Sequence, residues 1–135
     1  MKKVIFTVVL SFVFGTLVQA SAQTKQKITV QINQQKTVAK TKLAIKFASL
    51  IEDSRCPTGT NCIQAGNAKI TIQVGKSKGA MKTFELNTNS KQQAVSYAGY
   101  EIKLTDLNPK PASNIRINRN GYTATFVVSK SGNTK

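Results

Sequence analysis

The chain has 135 residues, with 20 Lys and Arg against 5 Asp and Glu, a formal net charge of +15, two cysteines and no histidine. Without an imidazole, Ser-His-Asp and Cys-His nucleophilic machinery and histidine-ligated metal centres are excluded. The charge favours solubility and attracts anionic partners without naming one.

Residues 1–22 read as a cleavable signal peptide. Lys2-Lys3 form a short positive region, and Val4 to Val18 is an uncharged, mostly apolar run of fifteen residues. Ala20-Ser21-Ala22 then supplies the small residues a signal peptidase reads, so cleavage is expected before Gln23. The apolar run falls short of the roughly 20 residues a membrane-spanning helix needs. The expectation is a secreted or periplasmic chain with no transmembrane segment after cleavage. Loss of Lys2 and Lys3 leaves 18 basic residues against 5 acidic ones, a net +13, in a single domain over residues 23–135.

Period-two alternation dominates that domain. Ile28, Val30 and Ile32 alternate with polar residues, and Leu43, Ile45 and Phe47 alternate with Lys42, Ala44 and Lys46. The alternation slips after Phe47, which either a bulge or a strand end explains. Further on, Ala68, Ile70, Ile72 and Val74 alternate with Lys69, Thr71 and Gln73. Tyr100, Ile102 and Leu104 alternate with Glu101, Lys103 and Thr105, and Tyr122, Ala124, Phe126 and Val128 form the last apolar phase. Such segments are half-buried strands, one face in a core and one in water. Shorter candidates are Gln35–Lys40, Lys82–Asn87, Gln92–Tyr97 and Ile115–Arg119. Gly75 to Gly79, Asn87 to Ser90 and Asn108 to Pro111 read as loops. Asn120-Gly121, ahead of Tyr122, predicts a type I′ hairpin between Ile115–Arg119 and the last strand. Seven to nine short strands joined by turns predict an all-β fold, an antiparallel β-sandwich, immunoglobulin-like or similar.

The cysteines lie in Cys56-Pro57-Thr58-Gly59-Thr60-Asn61-Cys62, where Pro, Gly and Asn favour a tight turn. In an oxidising compartment two cysteines and no others pair with each other. Closing so short a loop stabilises the fold by roughly 2 kcal/mol in the chain-entropy model.

Asp53-Ser54-Arg55-Cys56-Pro57, then Cys62 and Ala65-Gly66, followed by Tyr100-x-Ile102-x-Leu104 and Pro109-x-Pro111, resembles a group of small secreted bacterial proteins of unknown function with a D-S-R-C-P…C-x-W-A-G signature. The resemblance covers Asp53 to about Phe126. Gln64 stands where that group usually has Trp, and Lys110 where an aromatic residue is frequent. The resemblance implies a fold and a compartment, and brings no activity with it.

Candidate site residues follow from charge and position. Asp53 and Arg55 are two apart, so on a strand they project to the same side and can pair as a loop staple, or serve recognition. Glu52 and Asp53 face opposite ways and cannot act as a paired acid and base. No phosphate-cradling glycine loop opens a helix, so an enzyme, a cofactor and a metal are not expected. Lys42, Lys46, Lys69 and Lys103 fall on the polar phase of predicted strands. They are either a solvated face or, if their strands are neighbours, a basic sheet face for an anionic polysaccharide or envelope polymer. Only three arginines occur, which with the expected compartment argues against nucleic acid. The alternative is a protein-binding module, such as an inhibitor of a secreted hydrolase, inserting the Cys56–Cys62 loop into a partner's cleft.

Overall fold

In the computed structural model of the chain, residues 24–89, 92–114 and 116–132 are described, together with Gly15. The signal-peptide reading of residues 1–22 therefore lies, apart from Gly15, outside the described residues, as do Ser90 and Ile115 of the predicted loop and strand. The described residues form an all-β sandwich of two antiparallel four-stranded sheets. The strands are β1 (Gln26–Gln31), β2 (Gln35–Thr37), β3 (Leu43–Asp53), β4 (Ala68–Lys76), β5 (Met81–Asn87), β6 (Ala94–Tyr97), β7 (Tyr100–Asn108) and β8 (Thr123–Lys130).

Sheet order is β1-β8-β7-β6 in one layer and β2-β3-β4-β5 in the other. Each layer is essentially a meander, with β1 added beside β8 to close the first. This differs from the Greek-key order of immunoglobulin domains. The apolar phases meet between the layers. Val30, Phe126, Val128, Ile102 and Leu104 come from the first sheet, and Ile45, Phe47, Ile70, Ile72, Val74 and Leu86 from the second, all buried in one cluster. Ile28 and Phe84 pack against its rim, where Phe84 meets Tyr97 edge-on with ring centroids 6.2 Å apart.

The slip after Phe47 is a bulge. Register shifts occur between Phe47 and Ser49 and again between Leu50 and Glu52, so β3 runs on to Asp53 with its facing re-aimed. Residues 35–40 contribute only Gln35–Thr37 to a strand, because Lys40 turns with φ 59° and Val38 donates from its backbone to Leu43 O at 2.8 Å.

Two expectations about turns are corrected. Arg119–Gly121 is a 3-10 turn, not the centre of a type I′ hairpin: the Asn118 side chain accepts from Asn120 N at 3.0 Å, and Gly121 N donates to Asn118 O at 2.9 Å. Nor do the described residues of 115–119 form a strand, since both edges of β8 are already paired, one with β1 and the other with β7. The two-residue hairpin with both central φ values positive is instead Ala98-Gly99, at 51° and 81°, joining β6 to β7. Glycine adopts that conformation freely, whereas alanine pays about 1–2 kcal/mol for it. Ala98→Gly and Ala98→Asn should therefore raise stability by about 1 kcal/mol, read as a higher urea midpoint at unchanged slope. An unchanged or lower midpoint in both variants would count against a strained alanine.

Candidate functional site

Asp53 ends β3 and Arg55 begins the cysteine loop, and the two pair as a fork. Arg55 Nε donates to Asp53 Oδ1 and Nη2 to Oδ2, each at 2.8 Å. The same guanidinium reaches the other sheet: Nη1 donates to Leu107 O at 2.6 Å and Nη2 to Pro109 O at 2.8 Å. From the start of β8, Tyr122 OH donates to Asp53 Oδ2 at 2.9 Å. The side chains are nearly covered, Arg55 at 14% and Asp53 at 9% exposed, so the pair is shielded and its donors are largely consumed. Asp53 and Arg55 thus form the staple their spacing suggested.

Burial by itself would raise the Asp53 carboxyl, but the hydrogen bonds from Arg55 and Tyr122 outweigh it and hold the group below its ordinary range. The Asp53 hydrogen bond raises Arg55 further, against its burial. Burial first, then the bond to Asp53, pushes Tyr122 up.

The cysteine loop is held by the same region. Cys56 and Cys62 are joined, with Cα atoms 6.0 Å apart. Thr58 N donates to Pro111 O at 2.8 Å and Thr58 forms an isolated bridge with Ala112, so the loop lies along the segment that follows β7. Ser54 N donates to Asn67 O at 2.7 Å, closing the base of the loop. At Gly66 an added Cβ would overlap the Ser54 carbonyl, so the two chain segments touch backbone to backbone there. Asp53, Ser54, Arg55, Cys56, Cys62, Gly66, Pro109 and Pro111 therefore build one clamp, with Tyr122 added. Beyond the disulfide, Ile63 stands fully exposed.

The four candidate lysines do not share a face. Lys46 and Lys69 alternate with buried residues of β3 and β4 and point outward from the second sheet, whereas Lys103 points outward from the first. Lys42 lies at the start of β3, where it joins a different group. Register pairs Leu43 with Lys76, Lys36 with Ile45, Lys46 with Gln73 and Val74 with Lys82. Segments 36–46 and 73–83 therefore occupy the same half of the second sheet. Together they carry seven lysines and no Asp or Glu: Lys36, Lys40, Lys42 and Lys46, then Lys76, Lys78 and Lys82. The carboxylates of that sheet, Glu52, Asp53 and Glu85, belong to its other half. Between the β2–β3 turn and the β4–β5 hairpin lies an open cleft of about 350 Å3, lined by Thr37, Thr41, Lys42, Lys76, Ser77, Lys78 and Gly79.

Sequence reasoning reached Lys42 and missed Lys76 and Lys78, which it read only as part of a loop. The available signal was the length of the two strands: pairing β3 with β4 as a hairpin partner pair brings the 76–79 turn beside Lys42. The remaining carboxylates stay apart. Asp106 accepts from Leu107 N and from Asn108 Nδ2, and Glu101 lies opposite Ser129. Among the described residues no three His, Cys, Asp or Glu side chains gather as metal ligands. Compared with protein-family models, curated proteins and solved structures, the chain matches none.

Removing the Asp53 carboxylate leaves a largely covered guanidinium without its counter-charge, so Asp53→Ala should cost about 2 kcal/mol of stability in urea unfolding. Because the folded-state pKa of Asp53 is depressed, its stabilisation is complete above the ordinary carboxylate value near 4 and fades as pH falls through the lower folded value. Asp53→Asn should lose that part of the acid-side slope. Identical acid slopes in the two proteins would contradict the staple. At the other end of the scale, Tyr122 contributes below its ordinary value near 10 and loses that contribution as pH rises through the raised one.

Gly66→Ala has no room for its methyl group and should destabilise by about 3 kcal/mol with the disulfide intact. A wild-type melting temperature would show that the Ser54 backbone can give way.

Proposed function

We propose that this is an exported, non-enzymatic β-sandwich that binds an anionic polysaccharide or envelope polymer through the lysine-rich end of its second sheet. The observation that carries the reading is the seven lysines of segments 36–46 and 73–83, with no carboxylate among them. Charges of one sign gathered without counter-charges raise the local concentration of an anionic partner and speed its capture. The binding end is one end of a sheet and the adjoining cleft, not the four-lysine face expected from alternation alone. Lysine, a compact point charge without a planar fork, suits a repeating anion better than the bidentate reading of a base or a nucleic-acid phosphate. The signal-peptide pattern in residues 1–22 supports an extracytoplasmic setting.

One observation favours a second reading, a protein-binding module acting through the cysteine loop. Ile63 is fully exposed beside a loop stiffened by the disulfide and by the contacts of Thr58 with Pro111 and Ala112. A rigid loop loses little freedom on entering a partner's cleft.

Retention on a sulfated polysaccharide such as heparin separates the two. Polymer affinity should fall by at least about tenfold between roughly 50 and roughly 200 mM salt. Lys36→Gln/Lys40→Gln/Lys82→Gln should weaken it, and Ile63→Ser should leave it unchanged. No retention on sulfated or phosphorylated polymers even at low salt would end the first reading. A protein partner lost in Ile63→Ser while the lysines remain intact would establish the second.

A further inference from the structure

The cleft between the two turns is more specific than a general basic surface. Resting on the reading above, we infer that it is a discrete site for a tetrahedral oxyanion, a phosphate or sulfate ester, lodged between Lys42, Lys76 and Lys78.

Its walls are set before any ligand arrives. On one side Thr41 Oγ1 donates to Val38 O at 2.9 Å and accepts from Leu43 N at 3.1 Å, while Thr41 N donates to Val38 O at 3.2 Å. These bonds fix the turn that delivers Lys42. On the other, Gly79 N donates to Lys76 O at 3.0 Å and closes the hairpin turn, placing Lys76 and Lys78 two residues apart on either side of Ser77. The register pair Leu43–Lys76 holds the two turns side by side. With both turns formed in advance, binding has only the exposed lysine side chains left to order.

The lining selects the ligand class. Three lysines line the cleft and can supply ammonium donors, and Thr37, Thr41 and Ser77 carry hydroxyls. A tetrahedral anion presents oxygens in several directions and so can meet scattered donors. A planar carboxylate is matched best by the arginine fork, and no arginine lines the cleft. On a phosphate monoester a second negative charge also doubles the Coulomb attraction to each lysine, whereas a sulfate ester meets the same donors with one. No Asp or Glu lines the cleft, so the lysines repel one another until an anion enters, and a bound oxyanion should stabilise the fold. The volume of about 350 Å3 is at the small end of ligand pockets, large enough for the group and part of the sugar or alcohol that bears it.

The test titrates the purified protein with inorganic phosphate, sulfate and acetate at constant ionic strength, following amide chemical shifts and the melting temperature. Phosphate or sulfate should bind saturably as one equivalent, with shifts confined to residues 37–43 and 76–80 and a rise in melting temperature, and acetate should bind at least about fivefold more weakly. A phosphorylated and a sulfated monosaccharide, titrated in the same way, then distinguish the two esters. Lys42→Gln and Lys78→Gln should each weaken binding about fivefold, and Lys27→Gln/Lys103→Gln, on the first sheet, should not. Shifts that spread over the surface without saturating, or undiminished phosphate binding in Lys42→Gln/Lys78→Gln, would overturn the site. Polymer retention without saturable oxyanion binding would likewise overturn the site and leave the basic end standing. Saturable binding in the cleft with no polymer retention would uphold the site and remove the polymer reading.

Discussion

The contact between Asp53 and Arg55 is the constraint around which one whole end of the molecule is arranged. A paired strand edge can satisfy its own backbone, but the end of β7 beyond its pairing with β6, and the segment that follows it, have carbonyls with no ladder to join on that side. Arg55 supplies donors for Leu107 O and Pro109 O, and Asp53 keeps the guanidinium charged, oriented and compensated while it does so. Either partner alone would be a nearly covered charge; together with Tyr122 they form a closed network bridging both sheets. The disulfide, the Ser54–Asn67 bonds and the close backbone approach at Gly66 then tie the cysteine loop onto that bridge. A residue pattern that could be taken for a reactive cluster is a scaffold, because its polar atoms are turned toward each other and toward the backbone.

What could be read in advance follows the range of the interactions involved. Alternation is a local property, so the strands around Val30, Ile45, Ile72, Ile102 and Phe126 and their inward faces were legible, and even the bulge after Phe47 left its mark as a broken period. The pairing of Asp53 with Arg55 was legible for the same reason, being two residues apart. Tyr122 is 69 residues from Asp53, and only its place in an apolar phase hinted that a hydroxyl would need a buried partner. Asn120-Gly121 misled because turn propensity assumes that two neighbouring strands are free to pair. Here β8 has no free edge, and Asn118 offers the backbone a local alternative. Ala98-Gly99 adopts the positive-φ hairpin with an unfavourable first residue because the facing strands, Tyr97 against Tyr100, leave two residues to turn in.

The basic end was hidden for a related reason. Lysines on the polar phase of a strand announce only that they face water. Whether they share a surface depends on register and layer, which no single segment contains. Lys46, Lys69 and Lys103 look alike along the chain and are divided between opposite faces, whereas Lys42 and Lys78, 36 positions apart and in different contexts, line one cleft.

The two ends of the second sheet carry opposite loads. β3 spans eleven residues, so its two ends are separated by roughly 30 Å, well beyond the screening length at physiological salt. Seven lysines without counter-charges at one end weaken the folded state through mutual repulsion, an effect strongest where those lysines approach each other. The shielded ion pair, the covalent loop and the tyrosine bond all sit at the far end, where carboxylates are present to join them. The fold can therefore hold its charged end open, neither neutralised internally nor relied on for stability. A bound polyanion would meet lysines with no carboxylate among them to displace, Lys82 resting only on the Phe84 ring, and its charge would relieve the mutual repulsion of that end.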